Sequence, residues 1–229
     1  MRPFKFRLVL GFLIVAVGCR YETASGNNPE YAFLGLGFAG GIVSCLSAAN
    51  NGAVTDGDYL LTLPGGTVSV FCYGMTSSPV EYLTLPNSLA NGRGTYNNST
   101  YGPGGNSSGL TTWYNRIRFY PDTLTVDITD TTFSTSNGGF KFFGSNYFYT
   151  NNYAEAGDCV GGYSNSGTAN VDLTGLPFVV AGLAQFQIVG ALPGGSIAFG
   201  ATNQIVDLTG GGICGGTAPI NNQLLLAWP

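Results

Sequence analysis

The stretch that decides the fold runs from Asp56 to Met75, DGDYLLTLPGGTVSVFCYGM. It opens on an acidic turn in which Asp56 and Asp58 flank a glycine. Tyr59–Leu63 and Val68–Cys72 then show the period-2 pattern of half-buried strands. Pro64-Gly65-Gly66 between them is turn chemistry. The second strand ends in Cys72. That residue separates a scaffold from a catalytic site, because the chain has no histidine to activate a thiol.

Working outward, the hairpin is followed by a third short strand at Glu81–Leu85. Residues 87–110, NSLANGRGTYNNSTYGPGGNSSGL, are expected to form a long polar loop, and loops of that length are functional or mobile. This segment holds glycosylation sequons at Asn97, Asn98 and Asn106, which matter only in a eukaryotic secretory host. Ile117 and Phe119 alternate with Arg116 and Arg118, and Leu124, Val126 and Ile128 alternate with polar residues. A hairpin turning at Pro121-Asp122 follows from that pattern. The aromatic segment at 140–153 and four apolar runs after residue 169 bring the count to about ten strands. One or two short helices are expected, one of them at LSAAN after Cys45. The fold class is therefore mainly β: an antiparallel β-rich single domain with few short helices, stapled by two disulfides. Val-Asp-(Leu/Ile)-Thr recurs at 126–129, 171–174 and 206–209. Its Asp and Thr residues are expected to point outward, as a binding face or as ordinary half-buried strand ends.

Composition sets the compartment. Only 9% of the 229 residues are charged, against about 25% in typical soluble domains. The surface must be built from Asn, Thr, Ser, Tyr and Gly, which suits an extracytoplasmic protein. The chain starts with basic MRPFKFR and an apolar run, LVLGFLIVAVG, that is too short to span a bilayer. Residues 1–18 are read as a signal peptide. Ala16-Val17-Gly18 suits ordinary signal peptidase, and the same tripeptide before Cys19 resembles a bacterial lipobox, which usually has Leu at the position of Ala16. The favoured expectation is a lipid-modified Cys19 at the start of the mature chain. Residues 19–43 are then a tether with an apolar lead-in, and 44–229 the domain.

Removal of residues 1–18 leaves five basic residues against twelve acidic ones, a net charge of −7. Clustered cations are missing, so nucleic acid is an unsuitable partner. The expected partners are an extracellular protein or a polysaccharide surface, with the membrane reached only through Cys19. Four cysteines remain in the domain: Cys45, Cys72, Cys159 and Cys214. An even number in an exported chain reads as disulfides. Three connectivities are open, and nearest-neighbour pairing, Cys45–Cys72 and Cys159–Cys214, is expected. In the chain-entropy model these closures contribute roughly 3.5 and 4 kcal/mol, less any strain. The spacing offers no CxxC for zinc. No cofactor or metal is expected.

Six segments in order carry a family resemblance. They are Ser44-Cys45 through DGDYLL to Val70-Phe71-Cys72 and Met75, then PVEYLTL (79–85), TTWYNRIRF (111–119), AEAGDC (154–159), VDLTG (171–175) and GGGICGG (210–216). Together they resemble the GON domain, over residues 44–217. A related opening, with its two cysteines bridged, occurs in fibrinogen C-terminal-like domains. The resemblance implies a non-catalytic module of the kind found at the C-terminus of some secreted metalloproteases with thrombospondin repeats. The protease chemistry of those proteins resides in a different domain, and HExxH cannot occur in a chain without histidine. The animal modules carry further cysteines around the last two motifs; this chain has only Cys159 and Cys214 there.

Under this resemblance Cys72 staples the hairpin to Cys45 rather than serving as a nucleophile. Ser-His-Asp chemistry is excluded. A carboxylate pair at Glu155 and Asp158, or at Asp127 and Asp130, is the enzymatic alternative. Asp158 and Asp56 are more simply turn formers, and calcium at Asp56/Asp58 or Asp127/Asp130 lacks EF-hand spacing. The function expected is a surface-displayed binding or adhesion module, with exposed tyrosines and the 87–110 segment as its contacts. The alternatives are a hydrolase and a structural envelope protein.

Overall fold

The structure is a computed structural model that describes residues 41–86, 97–104, 107–143, 145–158, 167–189, 195–212 and 215–229. Two sheets organise these residues. The first contains β1 (Gly57–Leu63), β2 (Gly66–Tyr73), β3 (Val80–Thr84), β6 (Arg116–Tyr120), β7 (Thr125–Asp127), β18 (Gln223–Ala227) and β13 (Val179–Val180), in that spatial order. The second has a path of β10 (Asn146–Phe148), β9 (Lys141–Phe143), β5 (Ser107–Tyr114), β4 (Asn98–Gly104), β11 (Ala156–Asp158), β17 (Gly215–Pro219) and β14 (Phe186–Val189). Off this path, β12 (Thr168–Asp172) pairs with β4 and with β16 (Ile205–Thr209), β15 (Ser196–Phe199) pairs with β16, and β8 (Ser134–Ser136) pairs with β5.

The expected hairpin is present. Leu63 lies opposite Gly66, so Pro64-Gly65 is the two-residue loop. The Trp228 indole covers it: a Cβ on Gly65 would fall 1.9 Å from Trp228 Nε1. Leu61, Leu63, Val68, Val70 and Cys72 point into the core, as their alternation predicts. That core is contiguous and draws on both sheets, with Phe119 and Phe178 packed at 5.5 Å between ring centroids.

Cys72 is bridged to Cys45. Cys45 opens α1 (Cys45–Asn50), the helical turn expected at LSAAN. Six residues are too few to be helical without help. A capping box of Ser44 and Ser47 closes the first turn. The buried Glu81 carboxylate accepts a 2.7 Å hydrogen bond from Cys45 N–H. Since Glu81 lies opposite Cys72 across the β2–β3 ladder, bridge and carboxylate clamp the helix at one point. Arg118 Nη1 lies 3.3 Å from Glu81 Oε2 and supplies the counter-charge.

Three expectations need correction. The polar segment at 87–110 is not a continuous loop: β4 and the start of β5 pair within it. Its inward positions include Asn97, Ser99 and Tyr101, so the ladder lacks the apolar alternation that marks a strand. Asn97 is fully buried, which removes that sequon from the folded surface. Second, strands number eighteen among the described residues rather than about ten, because many are only two to four residues long. They are not all antiparallel, since β11 runs parallel to β4. Third, the Val-Asp-x-Thr repeats do not present a common outward face, although two of them share the same Asp-to-Thr turn. Asp172 is buried, with Thr174 N–H donating to it at 2.8 Å, while Asp127 receives Thr129 N–H and Asp207 is exposed in mid-strand.

One disulfide is seen among the described residues, not two; Cys159 and Cys214 lie outside them. The expected signal peptide, Cys19 and most of the expected tether also lie outside. The last described pair of the β11–β17 ladder is Asp158 opposite Gly215, and the two cysteines are their chain neighbours. Peptide mapping without reduction is expected to recover Cys159 joined to Cys214 as well as Cys45 to Cys72. Replacing Cys45 and Cys72 by Ala together is expected to cost about 3.5 kcal/mol in urea unfolding.

Candidate functional site

The site grows from a turn that a buried side chain organises. Asn151, fully buried, lies between β10 and β11. Its backbone N–H donates to Thr112 Oγ1 at 2.8 Å, and its Nδ2 donates to the Glu155 carbonyl at 2.7 Å. Its Oδ1 accepts from Lys141 Nζ at 2.6 Å, and its carbonyl accepts from the Tyr114 hydroxyl. Next to it the Tyr153 hydroxyl donates to Asn97 Oδ1 at 2.7 Å. Asn97 also receives Asp172 N–H at 2.9 Å and donates to the Asp172 carbonyl at 3.1 Å. Tyr114 and Tyr153 meet edge to face. Every one of these buried polar groups is satisfied, which is the condition for such a network to rigidify a fold.

This turn carries Glu155 to the rim of an open cavity of about 430 Å³. Glu155 Oε1 accepts from Lys141 Nζ at 2.8 Å. The same ammonium sits 5.1 Å from the centre of the Tyr101 ring. Tyr101 lies flat over β11, and a Cβ on Gly157 would fall 1.9 Å from its ring. Phe148, Thr129, Thr131, Thr150 and Asn152 also line it, with Gly215, Gly216 and Ala218 of β17. Lys141 and Phe148 were not singled out from sequence, whereas Tyr101 lies within the 87–110 segment expected to make contacts. Lys141 carries a usable signal, being the single lysine in residues 19–229.

The proposed carboxylate pair is split. Glu155 lines the cavity, whereas Asp158 is fully buried in β11 and does not. Asp127 and Asp130 each cap a local turn, accepting from Thr129 N–H and Thr132 N–H, and Asp130 also receives the Tyr82 hydroxyl at 2.8 Å. Asp56 accepts Met75 N–H at 2.8 Å, tying the two ends of the opening hairpin; Asp58 is exposed. No group of three His, Cys, Asp or Glu residues able to hold a metal occurs among the described residues. No helix among them is long and apolar enough to cross a membrane.

A second cluster covers the outer face of the first sheet. Arg116 stacks 3.9 Å from the Phe71 centroid, and Phe71, Tyr73 and Tyr82 all meet Phe133 edge to face.

Comparison with protein families places these observations. The GON domain model matches residues 42–101 and 93–227, which spans nearly all of the described chain. The chain belongs to the GON domain family. No curated protein and no solved structure matches. GON domains are extracellular, non-catalytic modules, so a zinc protease activity does not follow from membership. In this GON domain, PVEYLTL supplies the Glu81 clamp, AEAGDC supplies Glu155 and the bare Gly157, and VDLTG supplies the Asp172 backbone held by Asn97.

Four tyrosines are held protonated by burial. Tyr101 is pushed up to about 12 by burial, reinforced by the Glu155 and Asp158 carboxylates. Tyr82 is pushed up to about 12, also chiefly by burial, and Tyr114 and Tyr153 are raised further. An unfolded chain releases these protons near pH 10. Their contribution to stability is therefore intact below pH 10 and lost as pH rises through 12. Ultraviolet titration is expected to show these four tyrosines ionising only as the fold is lost.

Proposed function

We propose that this GON domain is a non-catalytic binding or adhesion module displayed outside the cytoplasm, anchored by a lipid on Cys19. The cavity beside the Lys141–Glu155 pair carries the reading. It is concave, its volume lies within the range of ligand sites, and its lining combines polar groups with apolar surface. The ligand is a component of the extracellular surface, protein or polysaccharide. The leader and the scarcity of charge support export, and the lipobox-like sequence before Cys19 supports the anchor.

A hydrolase is the weaker reading. Of Glu155 and Asp158, only Glu155 faces a common ligand space, and Lys141 already holds it.

Retention of the mature protein on separate protein and polysaccharide fractions of the extracellular material of its producing cells tests this function. Ala218 is a partly exposed strand residue on the cavity wall. Ala218→Trp fills the space without entering the core, and is expected to abolish retention at unchanged thermal stability. Retention unaffected by that change, or absent for the natural chain on both fractions, would sink the reading. Intact mass from membranes is expected to show a chain beginning at Cys19 with acyl groups added; an unmodified soluble chain contradicts the anchor.

A further inference from the structure

We propose that the cavity binds an uncharged saccharide. This rests on the reading of the domain as a binding module and names the ligand class. The charge balance of the site is the first observation. Lys141 and Glu155 neutralise one another at 2.8 Å inside the lining, and no other charged residue lines the cavity. An anionic ligand finds its cation already held by Glu155, Asn151 and the Tyr101 ring. A cationic ligand meets a carboxylate already paired. An ionic ligand would have to break this pair and leave one of its charges without its partner, which is strongly unfavourable at a partly buried site.

The shape and chemistry of the lining narrow the class further. The β17 wall is made of Gly215, Gly216 and Ala218, so it is flat and nearly free of side chains. Phe148 stands at the mouth with 42% of its surface exposed. A flat wall with an aromatic ring accepts the C–H face of a pyranose. The lining also includes Thr129, Thr131, Thr150, Asn152 and Glu155, whose side chains carry hydroxyl, amide and carboxylate groups. Hydroxyls donate and accept, the amide does both, and the carboxylate accepts. Such a lining matches a ligand whose own edge is a ring of hydroxyls. An apolar peptide side chain would leave those groups unmatched.

The strands also hold this surface in place before binding. Lys141 lies on β9 and Tyr101 on β4, and Asn151 fixes the Glu155 turn. Ordering costs on binding are then small, which favours even a weak ligand.

Saturation-transfer difference NMR on the mature chain tests the assignment. The probes are neutral pentamers of glucose in α1,4 and β1,4 linkage and a β1,4-linked N-acetylglucosamine tetramer; trigalacturonate is the charged control. We expect transfer to the ring C–H protons of at least one neutral probe, unchanged between 0.05 and 0.5 M salt, and weaker or none to trigalacturonate. Phe148→Ala removes a ring that is 42% exposed and is expected to weaken binding about tenfold. Ala218→Trp is expected to abolish it. No transfer to any neutral probe, or a salt-sensitive preference for trigalacturonate, overturns the saccharide assignment. If Ala218→Trp nevertheless abolishes retention on the protein fraction, the binding module stands and only the saccharide falls.

Discussion

The constraint on which the second sheet depends is the satisfaction of Asn97 and Asn151 inside the core. Both are fully buried amides, and a buried amide left without partners costs about 1–3 kcal/mol. Asn97 brings together three parts of the chain distant in sequence: its own strand, Tyr153 and the backbone of Asp172. Asn151 joins Thr112, Tyr114, Lys141 and Glu155. Apolar contacts alone would allow the segment between β10 and β11 to slide. Directional hydrogen bonds allow one placement. Backbone geometry is consistent with the same constraint: Ala154 adopts a positive φ of 54°, which a β-carbon residue other than Asn or Asp rarely takes.

The first sheet is organised differently. There the apolar alternation of β1 and β2 does the packing, and a covalent bridge with one buried carboxylate holds α1 in place. Arg118 serves Glu81, and Arg116 is spent on the Phe71 ring. The scarce positive charge of the domain is thus largely used within the fold. The neutral cavity on the other sheet is the counterpart: its one cation is also held internally. A module of this kind recognises by shape and hydroxyl chemistry rather than by long-range attraction.

Legibility in the sequence followed the type of residue facing inward. The Asp56–Met75 hairpin, the Pro121 hairpin and the strands at Ile205–Thr209 and Gln223–Ala227 put Leu, Val, Ile or Phe toward the core, and their period was readable. β4 and the residue before it put Asn97, Ser99 and Tyr101 there, and their polar composition read as loop. The buried positions are paid for by hydrogen bonds to residues 56 and 75 positions away, which no local pattern displays. Glu155 was visible because its motif was. Lys141, Tyr101 and Phe148 come from three separate strands, and only the ladder brings them to one cavity. Asp172 misled because an acid in a strand end reads as outward, whereas here it is buried, with Thr174 N–H donating to its carboxylate.

The most direct test of the central claim is amide hydrogen exchange in the Tyr153→Phe chain. This change deletes one hydroxyl and keeps the ring that packs on Tyr114. If the polar network holds the cavity, exchange of the Asn151, Asp172 and Gly157 amides accelerates while the β1–β3 amides keep their protection. Equal protection of both sheets in the variant and the natural chain would contradict the account, as would uniform acceleration of every amide.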